Sequence, residues 1–185
     1  MKQAVNFFYF CNMSILNIYF SGRVTEDSVN LLFDVIQENI KKGGIDINLI
    51  LSSSGGEVLP ATTFFYKIKN NNFNDKLTVY NPAMIGSAAT LIYLAFTKRV
   101  VLPSALFMVH SVATNSGKDA QYSIALLNEM LGEIFEETTS ITKTDYADVI
   151  IKHPKKYYTD QDVIAKGISN LTSASIPKPN IYFGI

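Results

Sequence analysis

The sequence predicts a single α/β domain with much parallel strand pairing, and three observations carry that reading. Apolar, β-prone stretches alternate with stretches whose apolar residues recur at helical spacing, the order that builds strand-helix-strand units. The 185 residues are 48% apolar and only 17% charged, enough to form one real core and too apolar for a disordered chain. No internal repeat or linker divides the chain.

The elements follow in order. The N-terminal run MKQAVNFFYFCNMSILNIYF has one early lysine and polar breaks at Asn6, Asn12, Ser14 and Asn17. It reads as one or two strands rather than a signal segment, with a strand at 15–21 ending at Gly22. Thr25 opens a helix whose Val29, Leu32, Phe33 and Ile36 fall on one face, stopping at Gly43-Gly44. Residues 45–51 form a buried strand running into Ser52-Ser53-Ser54-Gly55-Gly56, and a helix covers 59–70. After a strand at 77–80 and a turn at Asn81-Pro82 comes the apolar segment 85–96, expected to be a helix buried on all sides. Residues 100–102 and 106–109 read as strands on either side of a Pro103-Ser104 turn. A helix over 119–142 is longer than a domain of this size needs, so it is expected to project and meet another subunit. Short helices near 145–152 and 160–166, a strand at 168–171 and an extended tail from Ile176 complete the unit.

Composition excludes several classes of function. Sixteen acidic and sixteen basic residues leave no field that would favour nucleic acid or an anionic membrane. No stretch reaches the roughly 20 apolar residues needed to span a bilayer. One cysteine, Cys11, cannot form an intramolecular disulfide, which fits a reducing, cytoplasmic compartment. Two distant histidines, His110 and His153, do not make a metal site, and no phosphate-binding loop or other cofactor motif is present.

Three features bear chemistry. Paired glycines after a buried strand, Gly55-Gly56, leave backbone N–H groups unshielded, as half of an oxyanion hole requires; alone they are more simply a turn. Ser87, between Gly86 and Ala88 at the start of an apolar helix, sits where developing negative charge is favoured; alone it is a helix cap. His110 ends an apolar strand, where a lone histidine is most often structural.

Together, in this order, they resemble the proteolytic subunit of the Clp protease. The family's strand and Ser-Pro-Gly-Gly turn match 47–51 with Ser53-Ser54-Gly55-Gly56. Its Gly-x-Ala-Ala-Ser opening of a buried helix matches 82–87, and its Arg, Leu-Pro-Asn-Ser and Met-Ile-His run matches Arg99, Leu102-Pro103-Ser104-Ala105 and Met108-Val109-His110. Residues 18–24 resemble its first strand, and 158–168 its closing helix and strand, so the likeness spans about 15–172. It implies a spiral of repeated β-β-α units of the crotonase-like superfamily, with Ser87 as nucleophile, His110 as base, and the amides of Gly56 and Ala88 as the oxyanion hole. It further implies stacked seven-membered homo-oligomeric rings, extended polypeptide substrate bound beside 114–118, and an unfoldase ATPase of the AAA+ class as partner.

Two points bear on which residues would be catalytic. Ala88-Ala89-Thr90 mimics Ala-Ala-Ser and would put threonine at the nucleophile position. Ser87 is preferred because the Thr90 register shortens a buried helix, whereas the Ser87 register shortens only a surface loop. The family's third catalytic residue, an aspartate, falls near Lys155, where there is none; Asp148 and Asp160 are the nearest acids, and Asp148 is the candidate. The rival readings are a catalytically silent ring subunit and a crotonase-fold enzyme acting on acyl-coenzyme A.

Overall fold

The computed structural model of the chain describes residues 14–113 and 118–183. The strand reading upstream of Ser14, Cys11, and nearly all of the substrate-side segment 114–118 therefore lie outside the described residues.

Two layers, parallel except at one edge strand, share one long strand. β1 (Ile15–Val24) leads through α1 (Glu26–Gly43) to β2 (Asp46–Gly56), and α2 (Val58–Asn70) leads on to β3 (Leu77–Asn81). The first half of β2 pairs with β3 and its whole length with β1; at Ser53 it pairs instead with Ile85 of β4 (Met84–Gly86), where the second layer begins. α3 (Ala89–Leu94) and β5 (Lys98–Val101) follow, and β5 pairs with β3. β6 (Leu106–Val109) returns beside β4. β2 can serve both layers because Ile47, Leu49, Ile50 and Leu51 are all fully buried, the pattern of a strand covered on both faces.

Local signals set the helix ends. Thr25 and Ser28 cap α1 reciprocally, the Ser28 amide donating to Thr25 Oγ1 at 3.2 Å and the Thr25 amide to Ser28 Oγ at 2.9 Å. Val29, Leu32, Phe33 and Ile36 are buried, so the helical face read from the sequence is the packed one. α4 (Lys118–Thr138) is four residues shorter than expected at its C-terminal end. Its buried contacts begin at Leu131, and Ile134 and Phe135 continue them, whereas Leu126 is 48% exposed. Residues 123–130 of the helix are exposed or only part-buried.

The far end of α4 is tied down by Arg99, a buried cation with no carboxylate partner among the described residues. Its guanidinium donates to the carbonyls of Ile168, Phe96, Thr138 and Gly167 at 2.7–2.9 Å. Those carbonyls end α3 and α4 and open the loop before β8, so one side chain joins three elements. Desolvation pulls the Arg99 pKa below its usual value, but the fan of carbonyl dipoles suits the charged form.

The structure corrects several boundaries. Ile85 and Gly86 are not helical but form β4, between β2 and β6, and the buried helix is only α3. α5 (Lys143–Lys152) leads to a short strand missed in the sequence, β7 (Lys156–Tyr158), antiparallel to β6. After α6 (Asp160–Ala165) the strand expected at 168–171 is only β8 (Leu171–Thr172), because Ile168 and Ser169 close the turn onto Arg99 and Tyr93. The extended tail carries β9 (Ile181–Phe183), parallel to β1 and anchored where the Asn17 amide donates to Asn180 Oδ1 at 2.8 Å. Among the described residues no helix is long and apolar enough to cross a membrane.

Candidate active site

The site forms where the second layer's strands end. Ser87 follows β4 and holds a left-handed backbone, φ +53°, between that strand and α3. An L-residue loses about 1–2 kcal/mol in that conformation, so the surroundings must hold it. Its amide donates to the Met108 carbonyl at 2.9 Å. Its carbonyl accepts from the Thr90 amide at 3.0 Å and from Thr90 Oγ1 at 2.6 Å. Gly55 packs against the turn so closely that an added Cβ would lie 2.6 Å from Ser87 Cβ. The result is a sharp strand-to-helix elbow that lifts the hydroxyl off the sheet.

His110, one residue past β6, meets that hydroxyl: Nε2 and Ser87 Oγ are 2.8 Å apart. Its other ring nitrogen, Nδ1, is 2.6 Å from the Ser111 carbonyl oxygen. A carbonyl only accepts, so Nδ1 carries the proton and Nε2 of the neutral ring presents a lone pair to Ser87. Thr90, the alternative nucleophile, is buried in α3 with its hydroxyl spent on the Ser87 carbonyl.

Asp148 is not brought to His110. It sits on the exposed face of α5 in an ion pair with Lys152 one turn on, at 2.5 Å. The shift needed to carry it inward is blocked because α5 is pinned at its start by the Thr142–Asp145 capping box and buries Tyr146 on its inner side. Asp160 is also elsewhere, accepting from the Ser104 amide at 3.3 Å.

Gly56 ends β2 opposite Val24 of β1 and borders the same hollow as Ser87 and Ala88. The Thr90 and Leu91 amides are taken by the carbonyls of Ser87 and Ala88, while the Ala88 amide has no hydrogen-bond partner among the described residues. The hollow holds about 100 Å³ and is walled by Val58, Leu91, Val112, Leu131 and Tyr146 beside the Ser87–His110 pair. That is less than the ~150 Å³ that admits benzene, and suits one apolar side chain. Tyr146 stacks on Phe135, ring centres 4.9 Å apart, and burial pushes its hydroxyl pKa well up, so it stays protonated.

Two groups near His110 were not found from the sequence: the Ser111 carbonyl at Nδ1, and Asn128, whose Oδ1 accepts from the Val112 amide. A backbone carbonyl such as Ser111's leaves no mark in residue type. Asn128 does: it lies three and seven residues before Leu131 and Phe135, a polar residue on the inward stripe of α4.

Comparisons with known proteins bear on the family and the fold. Residues 13–168 match the family model described as Clp protease. Among solved structures, a mutant ClpP1 from Listeria monocytogenes superposes with a TM-score of 0.73, at 18% identity over 88% of this chain and 92% of that one. No curated protein matches. With the family model spanning most of the sequence and the same spiral of strands and helices in its solved neighbour, the chain belongs to the Clp protease family.

Proposed function

We propose that this chain is a serine endopeptidase acting through a Ser87–His110 dyad. The observation that carries it is the ring orientation: Nδ1 is held by a carbonyl and Nε2 lies 2.8 Å from a serine hydroxyl on a strained elbow. In a triad the acid fixes this tautomer and steadies the charged ring. The Ser111 carbonyl does the first fully and the second only as a neutral dipole.

Ser87 Oγ attacks a peptide carbonyl carbon as its proton passes to His110 Nε2. The oxyanion is met by the amides of Gly56 and Ala88. Cleavage of the C–N bond sends the Nε2 proton to the leaving amine, and a water molecule then repeats the sequence on the acyl-enzyme, restoring Ser87. The small apolar hollow takes the side chain preceding the scissile bond. Ring assembly, polypeptide substrates and an AAA+ unfoldase partner are the family's pattern, and the side of α4 that exposes Leu126 is the face placed against another subunit. The other reading, a silent ring subunit, draws on the carboxylate missing from His110.

Hydrolysis of fluorogenic peptides with leucine before the cleaved bond tests this. The parent turns over, Ser87→Ala falls to background, and Val58→Phe, which fills the hollow from its rim, lowers kcat/KM at least about 10-fold, through KM. Equal hydrolysis by parent and Ser87→Ala would overturn the assignment, and no hydrolysis by a correctly assembled parent would favour the silent subunit.

A further inference from the structure

The carbonyl that orients His110 belongs to a short loop, 110–113, with no regular secondary structure to hold it. One side chain from another element does. Asn128, on α4, accepts from the Val112 amide through Oδ1 at 3.0 Å and donates through Nδ2 to Ser111 Oγ at 3.1 Å. Ser111 Oγ in turn donates to the Val112 carbonyl at 3.2 Å. The Asn128 amide thus grips the peptide on the far side of Ser111, and that grip fixes where the Ser111 carbonyl points. Asn128 does not line the hollow beside Ser87 and does not touch either ring nitrogen.

We infer that Asn128 is a positioning residue, holding the Ser111 carbonyl against His110 Nδ1 so that the imidazole keeps the tautomer able to accept the Ser87 proton. The inference rests on the dyad reading for its catalytic consequence, though not for its structural one. With the amide gone, Ser111 and Val112 are free to rotate, Nδ1 loses its fixed acceptor, and the ring samples the tautomer with the proton on Nε2, which cannot act as base.

The test is made on assembled full-length protein labelled with ¹⁵N-histidine. Only two histidines exist, and a His153→Gln variant assigns His110. In the parent the Nδ1 resonance is that of a protonated nitrogen and Nε2 that of a bare one. Asn128→Ala is expected to mix the two forms and to lower kcat by roughly 10-fold to 100-fold with KM unchanged. Asn128→Asp still accepts from the Val112 amide and can take the Ser111 hydroxyl proton, so it restores the parent's tautomer and most of kcat. Ser111→Ala keeps the carbonyl and one of the two grips, and falls between them.

An unchanged tautomer and kcat in Asn128→Ala would overturn the assignment. If that variant fails to fold, equal tautomer populations in parent, Asn128→Asp and Ser111→Ala, with Asn128→Asp failing to keep kcat, would do so. A parent without peptidase activity, whose tautomer still collapses in Asn128→Ala, would sink the dyad reading and leave the positioning role standing.

Discussion

His110→Ala is expected to lower peptide turnover by roughly 10⁴- to 10⁶-fold, the range seen when the base of a serine-base unit is removed. Without Nε2 the Ser87 hydroxyl has no acceptor for its proton at neutral pH, and the oxyanion donors alone give only residual catalysis. The folded state should barely notice. The ring is half-buried, and water can take its place beside Ser87 Oγ and the Ser111 carbonyl. Thermal melting within a few degrees of the parent, beside lost turnover, is the expected pair of results. Asp148→Asn is the companion measurement. Because that carboxylate pairs with Lys152 on the exposed face of α5, turnover should stay within about two-fold of the parent, exposed pairs contributing little. A large loss in Asp148→Asn would restore the third member that the sequence pattern suggested.

Gly55→Ala is expected to remove activity and stability together. At φ +107° an alanine is strained from the outset, and its Cβ would lie 2.7 Å from the Gly86 carbonyl oxygen and 3.0 Å from the Ala88 nitrogen. These are backbone atoms of the elbow itself, so relief requires moving Ser87 away from His110. Strain and overpacking together suggest a cost of roughly 2–5 kcal/mol, read as a lower denaturant midpoint. Gly44→Ala separates the two contributions: φ is +61° there, yet an added Cβ meets nothing within 4 Å. That variant should lose only about 1 kcal/mol and keep full activity. Active Gly55→Ala protein would mean that the elbow tolerates displacement, against the account of how Ser87 is held.

The contrast between these positions explains what could be read from residues alone. Gly-Gly after an apolar strand, a serine among small residues and a histidine closing a later apolar strand are side-chain signals. Their order carried the family resemblance that singled out Ser87 and His110, and the structure places those two side chains within hydrogen-bonding distance. The left-handed backbone at Ser87 was not legible, because serine has no preference for it; the conformation is imposed by Gly55, Thr90 and Met108 from three different elements. For the same reason Ile85 and Gly86 passed for helix. Their strand conformation comes from β2 and β6 on either side, and a three-residue segment has too little periodicity to declare itself. β9 pairs with a strand some 160 residues earlier in the chain, a contact no local pattern encodes. Asp148 misled because chain spacing was its only support, and helix α5 turned it outward to Lys152. The group that does face Nδ1 is a carbonyl, common to every residue, and only Asn128 on an otherwise apolar stripe hinted that something there needed holding.

Covalent labelling with a fluorophosphonate probe, followed by mass analysis of the modified peptide, tests the central claim most directly. The account predicts a single adduct on Ser87, absent from Ser87→Ala, retained in Thr90→Val and strongly slowed in His110→Ala. An assembled parent chain that takes up no probe, or takes it up equally when Ser87 is alanine, would contradict it.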